Sequence, residues 1–211
     1  MGVGASESAE RHVSGEPNIT VAPFAAAHVE GFRELFEGSS SSCFCRYWHF
    51  TGTKNEWLDR CAHRPEENLA EQSAALGAGD PSSTGLVALD GDLLVGWMKV
   101  APREAMPKLT SLPVYRHLAF EPGTWSIGCF VVHPAARRQG VARALVQGAV
   151  LQVGAWGGRF LEGHPRRSEV PLYDEEAWQG PERIFVELGF TAIHDQGPYP
   201  VYRKVLLQAQ T

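Results

Sequence analysis

The stretch WSIGCFVV, Trp125 to Val132, carries apolar or small side chains at both odd and even positions. A strand sends alternate side chains to opposite faces, so a run with no polar face must be covered on both sides. That demand selects a sheet with helices on each face, the α/β (α+β) class. Pro134 closes the strand, and the chain then reads AARRQGVARALVQGAV. Here a basic turn leads into a segment whose Val141, Ala142, Leu145, Ala149 and Val153 recur at helical spacing.

A strand, a turn and a helix in this order make an anion site. The first turn of a helix leaves backbone N–H groups without partners and bears partial positive charge. Gly140 and Ala142 keep side chains clear of those groups, while Arg137, Arg138 and Arg143 add charge. Phosphate is the fitting guest. The two common phosphate loops are excluded, because no glycine loop ends in Lys-Ser/Thr and no G-x-G-x-x-G follows a strand.

With 211 residues and 44% hydrophobic content, the chain can bury one sizeable core. A net charge of −5 argues against broad nucleic-acid binding, so an anionic ligand needs a local site. No apolar run reaches the ~18 residues of a membrane span, and the chain is expected to be soluble, cytoplasmic and without a membrane partner. Cys43, Cys45, Cys61 and Cys129 are too few and too unevenly spaced for a disulfide framework, which makes a reducing compartment the expectation. The opening MGVGAS fits the short myristoylation pattern through Gly2 and Ser6, a match that arises easily by chance.

Residues 1–17 are small and polar and are expected to form a flexible tail, with a single domain over 18–207. A strand at NITVAPF precedes a helix through AAAHVEGFRELFEG, and one helical stretch is expected from about Lys54 to Leu76. Two strands joined at Asp90-Gly91 form a hairpin. Ala101 to Thr124 reads as a long loop, followed by the strand at WSIGCFVV and a helix from about Arg138 to Val153. RFLEG is a short strand, and after a second irregular stretch come a helix at PERIFVELGF and a last strand near YPVYRKVLL.

The motif Arg137-x-x-Gly140-x-Ala142, the upstream LDGD hairpin and the VELGF near the C-terminus together resemble the GNAT superfamily of N-acyltransferases. SSCFCRYWHF, GWMKVAPRE, WSIGCFVV and LEGHP are similar to a bacterial branch of it. The resemblance spans about Asn18 to Leu207 and implies a mixed, mostly antiparallel sheet with splayed central strands flanked by helices. It implies acetyl-CoA as co-substrate, with its pyrophosphate on Arg137, Arg138, Gln139, Gly140, Val141, Ala142 and Arg143. Backbone N–H groups around Phe130, Val131 and Val132 would then hold the pantetheine and polarise the thioester, whose carbonyl the amine attacks directly. The acceptor is a small-molecule or peptide amine, and the resemblance leaves room for a homodimer.

An amine must lose a proton and the leaving thiolate gains from an acid. The tyrosine that many members place four residues before the glycine of LGF is Phe185 here, and Trp178 stands near the place of the family's asparagine. Tyr173 and Tyr115 are the remaining candidate acids. Glu162 and His164, at the C-terminal end of RFLEG, are candidate bases, with a solvated strand end as the bland alternative. Cys129 reads as a buried small apolar side chain rather than a nucleophile.

Cys43 and Cys45 are separated by one residue, poor spacing for zinc even with His49, Cys61 and His63 nearby, so no metal is expected. Cys43, Cys45, Tyr47 and Trp48 are expected to pack between the first two helices, a region that shapes the acceptor pocket in the resembled fold. Glu104, Glu121, Glu162, Asp174, Glu175 and Glu176 lie in the surrounding loops and would draw a cationic amine such as a polyamine, an aminoglycoside or a lysine side chain. Beside the enzyme stands a non-catalytic acyl-CoA-binding sensor, suggested by the lost tyrosine.

Overall fold

The computed structural model describes residues 18–116, 118, 121–170, 172–173, 176–195 and 197–206. The expected tail at 1–17, with Gly2 and Ser6, lies outside the described residues, as do Asp174, Glu175 and Leu207.

Among the described residues seven strands form one sheet: β1 (Ile19–Pro23), β2 (Gly85–Asp90), β3 (Leu93–Pro102), β4 (Thr124–Val132), β5 (Phe160–Gly163), β6 (Thr191–His194) and β7 (Val201–Val205), in the order β1-β2-β3-β4-β5-β7-β6. Every neighbouring pair is antiparallel except β4 with β5. This is the mixed, mostly antiparallel sheet that the resemblance implied.

The helices are α1 (Val29–Gly38), α2 (Lys54–His63), α3 (Pro65–Gly77), α4 (Pro107–Thr110), α5 (Val141–Ala155) and α6 (Glu182–Glu187). α1 buries Phe32, Leu35 and Phe36, spaced i, i+3, i+4, against one face of the sheet, where the Phe32 and Trp97 rings meet at 4.8 Å. α5 covers the other face with Val141, Leu145, Val146, Ala149 and Val153, packed on Leu86, Met98, Val100 and Ile127. Each such large side chain taken from water contributes about 1.5–3 kcal/mol. The strand with no polar face is thus buried on both sides.

The single helix expected from Lys54 to Leu76 is two. Pro65 has no N–H to donate into a preceding turn and disfavours helical backbone at the residue before it, so α2 ends at His63 and α3 begins on the proline. Thr53 and Glu56 form a capping box that starts α2. The expected loop at Ala101–Thr124 begins late, because β3 runs on to Pro102, and it holds 3₁₀ turns as well as α4. β6 was not anticipated. It is a four-residue edge strand with two exposed positions and no apolar alternation.

Two irregularities of β4 shape the centre. Its register with β3 passes from Met98–Phe130 to Val100–Ile127, so Gly128 and Cys129 together oppose Lys99 as a β-bulge. Its parallel pairing with β5 covers three residue pairs, Thr124–Phe160 to Ser126–Glu162, after which β4 continues to Val132 without β5. The parted strands open a V in the sheet.

Candidate active site

A cleft of about 1110 Å³ begins at the N-terminus of α5 and runs through this V. Gly140 is the helix N-cap, with φ of +83° and no capping side chain. The first helical bond is from Ala144 N–H to the Gly140 carbonyl, so the N–H groups of Val141, Ala142 and Arg143 precede the ladder. Gly140 is required by its left-handed backbone, since a Cβ there would meet nothing within 4 Å. Arg137, Arg138, Gly140, Val141, Ala142 and Arg143 line this end of the cleft. Gln139 turns away, donating to the Ala135 carbonyl. Arg183, in the first turn of α6, also lines the cleft but escaped the sequence reading because no motif marks it.

Phe130, Val131 and Val132 form the next stretch of wall. His133 N–H donates to the Val95 carbonyl on β3, and alternation then sends the Phe130 and Val132 N–H groups to the opposite edge, into the V. The Phe130 N–H is met there by the Trp178 carbonyl at 2.6 Å.

The far end of the cleft is aromatic. Tyr47, Trp48, Trp57 and Trp178 line it, with ring centroids 5.2 Å apart for Tyr47–Trp48, 5.6 Å for Tyr47–Trp57 and 5.6 Å for Trp48–Trp178. Gly128 admits the Trp48 indole against β4, where a Cβ would stand 2.6 Å from its Nε1. Cys43, Cys45 and Cys129 also face the cleft. Cys45 and Cys129 are joined as a disulfide, while Cys43 and Cys61 are free. This corrects the reading of all four as thiols: sequence spacing gave no hint, because the pair is 84 residues apart and the fold alone brings α1–α2 onto β4.

Glu162 and His164 are buried beside the V and do not line the cleft. Glu162 accepts from Arg203 at 2.7 Å and pairs with Arg103 at 3.4 Å. The Tyr115 hydroxyl lies 2.5 Å from His164 Nδ1 and 3.0 Å from its Nε2. Burial first, and the Arg103 charge second, hold its pKa at about 3. Burial pushes the Tyr115 hydroxyl well above its usual range. Tyr173 is 76% exposed and Phe185 is fully buried in the core. The described loop carboxylates are mostly partnered, Glu121 with Arg203 and Glu176 with Arg166, while Glu104 is exposed.

The acetyltransferase (GNAT) family profile matches residues 44–177. No curated protein matches the chain. Among solved structures, PaiA N-acetyltransferase from Thermoplasma acidophilum, in complex with coenzyme A, is similar at a TM-score of 0.53 and 10% identity, covering 89% of this chain and 98% of that one. An N-acetyltransferase from Staphylococcus aureus Mu50 gives 0.51 and 12%, covering 90% and 99%. Aminoglycoside 6′-acetyltransferase type Ii gives 0.50 and 15%, covering 90% and 99%. At these identities the likeness is one of fold. The profile spans well over half of the sequence, from the aromatic segment to the edge of Trp178, and the chain belongs to the acetyltransferase (GNAT) family.

Proposed function

We propose that the protein transfers the acetyl group of acetyl-CoA to a primary amine by direct attack in a ternary complex. One observation carries this reading: a single cleft joins an open helix N-terminus, an exposed strand edge and an aromatic chamber. The first suits a pyrophosphate, the second a pantetheine amide and the third an acceptor.

In this reading the Val141, Ala142 and Arg143 N–H groups and the neighbouring arginines bind the phosphates. The β4 edge aligns the donor: the Val132 N–H faces the V, and the Phe130 N–H serves a donor carbonyl once that carbonyl displaces the one of Trp178. Catalysis is then mainly positioning and carbonyl polarisation. Glu162, held between two arginines, supports the V as a structural carboxylate. His164 stays neutral against the buried Tyr115 hydroxyl, and neither side chain lines the cleft. A non-catalytic acyl-CoA binder shares the donor half of this geometry but has no use for the acceptor chamber.

Calorimetry with acetyl-CoA, followed by release of free thiol in the presence of amines, tests the proposal. Binding at micromolar concentration together with amine-dependent thiol release is expected. Binding without release for any amine leaves the sensor, and no binding at millimolar acetyl-CoA removes both.

A further inference from the structure

Acetyl transfer leaves CoA with a free thiol, and the Cys45–Cys129 disulfide is part of the wall of the cleft where that thiol forms. β4 brings the two together. Its Val132 end leads through Pro134 to the phosphate end at α5, so an arm laid back along the strand edge passes Val132 and Phe130 and reaches Cys129 next, about 10 Å from Val132 along the strand. Cys129 stands in the β-bulge, beyond the last β4–β5 pair at Ser126–Glu162, where the V is open beside it.

The two sulfurs are not equivalent. Cys129 is 7% exposed, whereas Cys45 is fully buried and its sulfur accepts the Trp97 indole N–H at 3.0 Å. An incoming thiolate therefore meets Cys129, and the sulfur that it expels already has a hydrogen-bond donor to steady its charge. The neighbouring thiol is a poor rival. Cys43 Sγ accepts the Cys45 N–H at 3.4 Å, and desolvation pushes its pKa up, which keeps it protonated.

Resting on the acetyl-transfer reading, we propose that Cys129 is a modification site for the product CoA, which opens the Cys45–Cys129 bond and stays on the protein as a mixed disulfide. The CoA thiolate forms an S–S bond to Cys129 Sγ as the bond to Cys45 breaks. Cys45 leaves as a thiolate and takes up the proton that the CoA thiol gave up. One disulfide replaces another, so no oxidant or reductant is consumed. The tethered CoA fills the donor end of the cleft and frees the Tyr47–Trp48 segment from its covalent tie to β4. Accumulated product thus shuts the site.

The test incubates the wild-type protein, disulfide intact, with equal concentrations of CoA, pantetheine or glutathione, quenches with N-ethylmaleimide in urea, and reads intact mass and cysteine peptides. Pantetheine carries the same thiol without the phosphates, so any excess for CoA reports the α5 cradle. CoA should add once per chain, on Cys129, at least about tenfold faster than pantetheine or glutathione, with Cys45 recovered as the alkylated thiol. Acetyl-CoA, whose sulfur is blocked, should give no adduct and should slow the reaction of CoA. Cys129→Ser should lose the adduct and Cys43→Ser should keep it, although the wild-type rates decide the matter without a variant. Equal rates for CoA and pantetheine, an adduct on Cys43 or Cys61, or no adduct would overturn the proposal. Any of these beside amine-dependent thiol release leaves the transfer reading standing, whereas no binding of acetyl-CoA by calorimetry removes both.

Discussion

The backbone N–H of Phe130 donates to the carbonyl of Trp178 across 2.6 Å, so a residue from the segment before α6 occupies a donor on the strand edge that the proposed donor substrate needs. A pantetheine carbonyl taking this N–H must displace that carbonyl, moving the Trp178 indole against Trp48. Acetyl-CoA is therefore expected to change the indole fluorescence. Trp178→Phe should remove at least about half of the change, since the remaining tryptophans stay packed; an unchanged signal would show that Phe130 keeps its partner.

At the head of α5, two substitutions of Gly140 separate backbone strain from charge. Gly140→Ala forces a Cβ into a left-handed conformation and should cost about 1 kcal/mol of stability, read by chemical denaturation. Gly140→Glu carries the same strain plus a negative charge beside Arg137 and Arg143. Its acetyl-CoA affinity should fall at least about tenfold below that of Gly140→Ala; equal affinities would make the turn merely basic.

Glu162→Gln leaves Arg103 and Arg203 facing a neutral amide in a buried place. Breaking such a pair costs about 3–5 kcal/mol, so the melting temperature should drop clearly. Turnover per folded molecule should stay within about threefold of wild type, whereas a base would lose about 10²-fold.

Two imidazoles, His164 buried and His49 partly buried, make stability depend on pH. Burial, then Lys99 and Arg46, hold His49 at about 3, and burial with Arg103 does the same for His164. In the unfolded chain both take a proton near about pH 6.5. The unfolded state thus binds more protons between about 6.5 and 3, and stability falls as pH falls through that window, by about 1 kcal/mol per pH unit for each group. Urea midpoints at about pH 7, 6 and 5 should show this slope, and His164→Gln should roughly halve it.

Reduction tests the cross-link. The Cys45–Cys129 bond closes a loop of 84 residues in sequence separation, and its loss should cost about 2–5 kcal/mol. Thiol titration of the unreduced, denatured protein should find Cys43 and Cys61 alone, and a melting temperature indifferent to reductant would exclude the bond.

Much of the donor half was legible because local patterns specify it. A strand without a polar face, a proline stop and a small-residue helix start are each set by neighbours in sequence, and α5 begins within three residues of expectation. The break at Pro65 was equally local but outweighed by a continuous run of helix formers. The aromatic chamber was only half visible. Tyr47 and Trp48 stood together in the chain, but Trp178 joins them from 130 residues away, and Arg103 reaches Glu162 from across the sheet. Glu162 read as a strand-end base because nothing in RFLEG reveals the arginines that neutralise it.

The disulfide between Cys45 and Cys129 makes two of the chamber's surfaces one rigid jaw: the segment bearing Tyr47 and Trp48 is tied covalently to the strand that would align the thioester. Trp178 belongs to the other jaw, attached among the described residues by a backbone hydrogen bond and ring contacts rather than by a covalent link. Changes in acceptor preference can therefore arise in the segment before α6, retuning the moving jaw without shifting the aim of the fixed one.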